Sequence, residues 1–368
     1  MKMALGGAFA AVLYLAGQGN AQDPITPDSK FGAALRAAGD AATARGDFSG
    51  AVLVIRDGRT VFEGAWGLAD RERGIANTPL TQFRVGSMNK MLSAVATLQL
   101  VQAGKLRLDA PLRTYLTDYP NEEMASKVTL HHLLTHTGGT GDIFGPQFTE
   151  RRLELRITAD YLRLYGTRPL QFEPGAKHVY SNYGFMLLGA VIERVSGTSY
   201  DDYIGTRVLA PAGMTATGAA PEDSVVPGRS LGYMRQNGAL VSNAPTLPYR
   251  GTPAGGWYST VGDLARFAAA IREHKLLDSA HTALLYTGKV QVTPSFQYAY
   301  GFIDRAVGGR RWVGHGGTAR GMSGELAFEP NGGYVAVVLS NFDPPAAGLV
   351  QNFILANLPA TSAGGGGR

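Results

Sequence analysis

Ser87-Met88-Asn89-Lys90 sets a hydroxyl and an amine three residues apart, where a run of apolar residues at helical spacing begins. Among the eight lysines of the chain, only Lys90 has a serine at that offset. Residues i and i+3 share a helix face, so the amine reaches the hydroxyl. A serine hydroxyl is a weak nucleophile until a neighbouring base takes its proton, and a helix N-terminus adds positive potential that favours anions. The pair therefore points to acyl transfer through Ser87. A serine at a helix start is also an ordinary N-cap, so the reading needs companions elsewhere in the chain.

Two companions are present. Tyr180-Ser181-Asn182 lies 93 residues after Ser87, and His315-Gly316-Gly317 lies 135 residues after Tyr180. Decoys share their patterns. Tyr119-Pro120-Asn121 has a rigid proline at its centre and reads as a turn. His136-Thr137-Gly138 precedes Tyr180 and follows a helix, whereas the third motif belongs on or beside a strand. His132 and His136 share a helix spacing beside His131, but the glutamate of a His-Glu-x-x-His metalloprotease is missing, so helix packing and capping is preferred and no metal is expected. Gly228-Arg229-Ser230-Leu231-Gly232 matches the nucleophile elbow of another hydrolase fold. That elbow needs a strand before it and a helix after it; Pro227 precedes this one and polar residues follow, so it reads as a loop. Trp257 and Tyr258 suit a pocket wall and a core equally.

The ordered set Ser-x-x-Lys, Tyr-x-Asn, His-x-Gly resembles the β-lactamase and penicillin-binding-protein superfamily, in its class C β-lactamase, D,D-peptidase and esterase branch. The resemblance runs over about residues 48 to 342. It includes Phe83-Arg84-Val85-Gly86-Ser87, Leu133-Leu134-Thr135-His136-Thr137-Gly138-Gly139 and Tyr180-Ser181-Asn182-Tyr183-Gly184 with Leu187-Leu188-Gly189. Pro253-Ala254-Gly255-Gly256-Trp257, Val313-Gly314-His315-Gly316-Gly317 and Leu339-Ser340-Asn341 complete it. It implies an acyl-enzyme on Ser87, with Lys90 and Tyr180 sharing the proton and the base role open between them. It also implies that Asn182 orients Lys90 and bonds a substrate amide, and that His315 supports Tyr180 and faces the substrate. Gly317 and Thr318 complete the substrate site. The backbone N–H groups of Ser87 and Thr318 form the oxyanion hole, each such donor being worth about 3 kcal/mol in the transition state. Histidine rather than lysine in the third motif is neutral for most of the time near pH 7, which favours esters and D-amino-acid peptides over a dedicated cephalosporinase. The rival expectation is a non-hydrolysing cell-wall sensor or binder on the same pocket. No cofactor is implied.

These residues need a scaffold. Ala51 to Ile55 and Thr60 to Phe62 are β-rich runs around Asp57-Gly58, a hairpin signal. Arg311 to Val313 leads into a glycine-rich turn; Gly324 to Phe328 and Tyr334 to Leu339 read as strands around Pro330-Asn331-Gly332-Gly333. Helices are expected at Phe31–Arg45, Met88–Ala103, Leu130–His136, Tyr183–Val195, Val261–Arg272 and Ala346–Leu358 from their periodicity and caps. Strands at both ends with helices between imply an α+β fold: an antiparallel sheet built from both termini (about 22–85 and 285–360), flanked by helices, with a mainly helical insertion (about 86–284).

The 368 residues, 45% hydrophobic and 17% charged, suit a large core. The absence of cysteine excludes thiolate catalysis, disulfides and cysteine-zinc sites. The +5 net charge comes from scattered arginines and reads as solubility rather than nucleic-acid binding. Lys2, the apolar run Met3–Ala16 and Gly19-Asn20-Ala21 read as an export signal over residues 1–21. The mature domain would be 22–360, followed by a flexible tail at 361–368. A bacterial periplasmic or secreted protein without a stable membrane anchor is expected.

Overall fold

The computed structural model describes residues 27–359. The expected export segment and the glycine-rich tail lie outside these residues. Among those described, the main sheet has eight strands, every neighbouring pair antiparallel. Their order across the sheet is Arg59–Trp66, Gly50–Arg56, Tyr334–Ser340, Met322–Phe328, Arg310–Ala319, Ile303–Val307, Phe296–Tyr298 and Val290–Thr293. The first two come from the N-terminal part and the other six from the C-terminal part. The joint between them is the pairing of Gly50–Arg56 with Tyr334–Ser340, in register Val52 with Val338 and Val54 with Ala336. The hairpin at Asp57-Gly58 has positive φ at both residues (49° and 77°), the backbone that a tight two-residue connection needs.

Side chains alternate across the sheet with period two. Val52, Val54, Ala336 and Val338 face one core with Phe31, Leu35 and Trp312, covered by the Pro27–Ala44 and Ala346–Asn357 helices. Ala51, Leu53, Val337 and Leu339 face the other core, shared with the helical insertion. At the centre of that second core runs the Asn89–Gln102 helix, buried from Asn89 through Leu98. A helix buried all round belongs in the middle of a domain, and this one carries Lys90 inside with it. No helix among the described residues is long and apolar enough to cross a membrane.

The expected elements are found with shifted ends, and three differences matter. The strand around Trp312 does not stop at a glycine-rich turn; it continues through His315, Gly316 and Gly317 to Ala319. The Leu130–His136 helix ends at Leu134, and His136 takes a left-handed backbone (φ 58°). The segment Val290–Val307, for which no element is expected above, adds three strands to the sheet edge.

Candidate active site

Ser87 sits in a single 3-10 turn, Gly86–Met88, that leads directly into the buried helix. The turn lies against the Arg310–Ala319 strand, and glycine makes the approach possible. A Cβ on Gly317 would lie 1.9 Å from the Val85 carbonyl oxygen and 2.9 Å from the Ser87 nitrogen. A Cβ on Gly86 would lie 2.9 Å from the Thr318 nitrogen. The glycines after His315 therefore serve close packing within a strand. The same contact sets the Gly86–Ser87 peptide against the Gly317–Thr318 peptide.

Lys90 is fully buried. Its Nζ lies 3.2 Å from Ser87 Oγ, 2.7 Å from Asn182 Oδ1 and 2.5 Å from the Ala254 carbonyl. Burial lowers its pKa to about 7, with the Asp142 carboxylate pulling the other way. An ammonium donates to all three partners. A neutral amine donates to two and keeps one lone pair. Ala254 O accepts only. Asn182 Oδ1 is held toward Lys90 because its Nδ2 donates to both Asp142 oxygens, at 3.0 and 3.1 Å. The lone pair of the amine is left to Ser87.

Asn182 opens the Asn182–Ser196 helix, while the cap is Ser181, whose hydroxyl accepts from the Gly184 nitrogen at 2.9 Å. Asp142 was not among the residues expected from sequence. It is the one acid in the loop from Thr135 to Pro146, a stretch otherwise rich in Gly and Thr. A lone carboxylate so close to a site motif is the signal that could have found it.

The Tyr180 ring packs 4.7 Å from Lys90 Nζ and 4.1 Å, centroid to centroid, from the His136 ring. Desolvation pushes its phenol well above the ordinary tyrosine range, with the Ser87 hydroxyl pulling the other way. The phenol is thus neutral near pH 7. It suits the role of proton donor or shuttle better than that of first base.

The His315 ring lies beside Tyr180, centroids 6.4 Å apart, and both of its nitrogens are engaged inside the protein. Nε2 is 2.9 Å from the Tyr298 hydroxyl, and Nδ1 is 2.5 Å from the Gly316 carbonyl. Neither nitrogen is left to face a substrate. Burial, then the charge of Lys90, lower its pKa to about 4. His136, expected to do no more than pack and cap a helix, is instead buried against Tyr180, with its Nε2 3.0 Å from the same Tyr298 hydroxyl. Tyr298 lies in one of the strands that were not expected. The alternation in Val290-Gln291-Val292 and Phe296-Gln297-Tyr298 around Pro294-Ser295 is a hairpin signal that could have placed it.

The remaining candidates sort clearly. Tyr119 is a core residue, its hydroxyl 2.9 Å from that of Tyr183. Ser230 is buried in a loop with no helix after it. Trp257 is core, 2% exposed. Among the described residues no group of three or more His, Asp or Glu side chains is arranged to hold a metal.

In front of Ser87 lies a cavity of about 120 Å³. Asn182, Gly255 and Thr318 flank the serine, Phe144, Phe148, Leu247 and Pro248 give it an apolar wall, and Arg320 stands at its rim. A roomier groove of about 930 Å³, between Asp118, Arg163, Glu193 and Arg194, contains neither Ser87 nor Lys90.

Comparison with known proteins shows the family of the chain. A protein of Bacillus subtilis carrying the name penicillin-binding protein PbpX is 32% identical over 312 residues, 83% of this chain and 74% of its own length. Esterase EstB of Burkholderia gladioli is 34% identical over 257 residues, 61% of this chain and 65% of the esterase. The crystal structure of a penicillin-binding protein from Bacillus halodurans superposes with a TM-score of 0.80 at 33% identity, covering 86% of this chain and 98% of that one. The beta-lactamase family model matches residues 35–360, and with Ser87, Lys90 and Tyr180 gathered in one α+β scaffold, the chain belongs to the beta-lactamase family.

Proposed function

We propose that this protein is a serine hydrolase that forms an acyl-enzyme on Ser87 and cleaves small esters or amides. The observation that carries the reading is the environment of Lys90 Nζ: two acceptors take its N–H groups, and Ser87 Oγ meets the third position at 3.2 Å. With its pKa lowered to about 7, the amine is substantially neutral at physiological pH and acts as general base. Ser87 Oγ attacks the carbonyl carbon as its proton passes to Lys90. The backbone N–H groups of Ser87 and Thr318 hold the oxyanion. The neutral Tyr180 phenol gives its proton to the leaving alkoxide or amine and is reprotonated from the Lys90 ammonium. Water then releases the acyl group by the same steps in reverse.

The apolar wall of Phe144, Phe148, Leu247 and Pro248 suits short apolar acyl groups. No lysine stands in the third motif to meet a β-lactam carboxylate, and the histidine there is neutral, which ranks esters and D-amino-acid amides above β-lactams. The similarity to an esterase supports this order. The test is a substrate panel: a nitrophenyl butyrate, a D-Ala-D-Ala peptide and nitrocefin, each with the native protein and with Ser87→Ala. Ester or peptide turnover is expected, lost by about 10⁶-fold in the variant. Rapid nitrocefin hydrolysis without esterase activity would reverse the substrate ranking. No turnover of any substrate, with stoichiometric covalent capture, would make the protein a sensor.

A further inference from the structure

A chain of hydrogen bonds runs behind the reacting groups, and each link has a fixed direction. The Ser181 N–H donates to His136 Nδ1 at 3.1 Å. A backbone N–H is only a donor, so that nitrogen is bare and the proton of neutral His136 is on Nε2, which faces the Tyr298 oxygen at 3.0 Å. At the other end, His315 Nδ1 faces the Gly316 carbonyl at 2.5 Å. A carbonyl is only an acceptor, so Nδ1 carries the proton and Nε2 is bare. The Tyr298 hydroxyl then has one arrangement that satisfies everything: it accepts from His136 and donates to His315 at 2.9 Å.

We propose that Tyr298 and His136 are positioning residues that lock His315 as its neutral Nδ1–H tautomer and thereby hold the Gly316 peptide beside Gly317 and Thr318. The inference rests on the hydrolase reading for its purpose. It links the Tyr-x-Asn segment, where the chain of bonds begins, to the strand that carries an oxyanion donor, where it ends. An independent observation supports it: His136 is a buried non-glycine residue with φ 58°. Left-handed backbone at such a residue is costly, and strain of this kind clusters at functional sites. The whole relay, Tyr298 included, is buried.

Protonation of either imidazole breaks the chain. On His136 it sets two donors face to face at Ser181. On His315 it leaves the Tyr298 proton without an acceptor. The cationic groups facing the relay act in one direction. Lys90 opposes protonation of both rings, and His178 opposes that of His136, its ring 5.7 Å away. Tyr180 packs against both rings at 4.1 and 6.4 Å. Asp142 acts on Lys90 and Tyr180, while Glu325 and Arg305 line a small cavity behind His315. Lys90 is left as the ionising cation beside Ser87 near neutral pH.

The test uses the full chain labelled with ¹⁵N-histidine, His315→Gln serving to assign the His315 resonances. Long-range ¹H–¹⁵N spectra should show His315 with a protonated Nδ1, a bare Nε2 and no titration above about pH 5, its position set by burial. An Nε2–H tautomer, or titration near the ordinary value of about 6.5, overturns the proposal. Tyr298→Phe should mix the two tautomers, slow labelling of Ser87 by a fluorophosphonate about tenfold or more, and add a second ionisation to the acid limb of its pH profile. A folded variant with one tautomer and an unchanged profile overturns the proposal as well. If Tyr298→Phe does not fold, His136→Asn takes its place. Asparagine tolerates the left-handed backbone and keeps an acceptor for Ser181, but has no donor at the position of Nε2–H, and the same readouts decide. A native protein with the expected tautomer but an unreactive Ser87 would refute the hydrolase reading and leave the relay standing.

Discussion

The chemistry of Lys90 follows from where its helix was put. The Ser-x-x-Lys spacing was readable, and so was a shared helix face. Full burial was not, because it depends on the helix being enclosed by the sheet and the insertion together. Burial lowers the pKa to about 7, and two pH effects follow with definite sign. Below pH 7 Lys90 is an ammonium with no lone pair for Ser87, so kcat/KM should rise through an acid limb near 7. The Tyr180 phenol is pushed upward, so its ionisation should impose no alkaline limb below about pH 10, its ordinary value. A rate profile with a buffered ester substrate checks both. For stability, the unfolded chain binds a proton on Lys90 between its ordinary value of 10.5 and about 7 that the folded chain lacks. The Lys90 contribution therefore makes stability fall as pH drops through that window, with a constant penalty below it. Lys90→Met should flatten that slope in denaturant titrations run at several pH values, while removing activity. An unchanged slope would mean that the amine is solvated. Asp142 and Tyr298 escaped the sequence because neither lies in a motif. The role of each is seen only in the partner it holds.

At the scale of the element, the strand Arg310–Ala319 shows what the sequence could and could not tell. Gly316-Gly317 looks like a turn when read locally, since glycine is the commonest turn residue. In the fold both continue the strand, Gly316 against the Glu325 side chain and Gly317 against the turn that carries Ser87. A Cβ on Gly317 would meet the Val85 carbonyl oxygen at 1.9 Å. Backbone cannot yield as a side-chain tip can, so Gly317→Ala should push the strand away from Ser87. Because a displacement of about 1 Å costs about 100-fold in rate, we expect kcat to fall at least that far with a lower Tm. Activity within a factor of two of the native protein would show that the two segments are less tightly apposed. The hairpins and amphipathic helices, by contrast, were legible, because their signals are local. The Leu130–Leu134 helix ended early because Thr135 and His136 leave helical geometry to bring the imidazole under Tyr180.

Over the whole molecule, the sheet separates two tasks. One face packs the Pro27–Ala44 and Ala346–Asn357 helices and carries no reacting group; the other packs the insertion and the site. Antiparallel strands from both ends of the chain were readable as an α+β plan, but the pairing of Gly50–Arg56 with Tyr334–Ser340 was not, since no local pattern encodes a contact across nearly the whole chain. Ile354 is fully buried on the face away from Ser87. Ile354→Ala should lower stability by about 2–4 kcal/mol yet leave kcat/KM of the folded fraction unchanged; a loss of rate without a loss of stability would show that the faces are coupled. The central claim is that Ser87 becomes acylated with Lys90 as its base. Intact-mass spectrometry after rapid acid quench of the native protein with a slow ester substrate tests it most directly. One acyl group per chain should appear, map to the peptide containing Ser87, and form at a rate that rises with pH through about 7. Turnover with no adduct on Ser87, or an adduct whose formation ignores pH in that range, would contradict it.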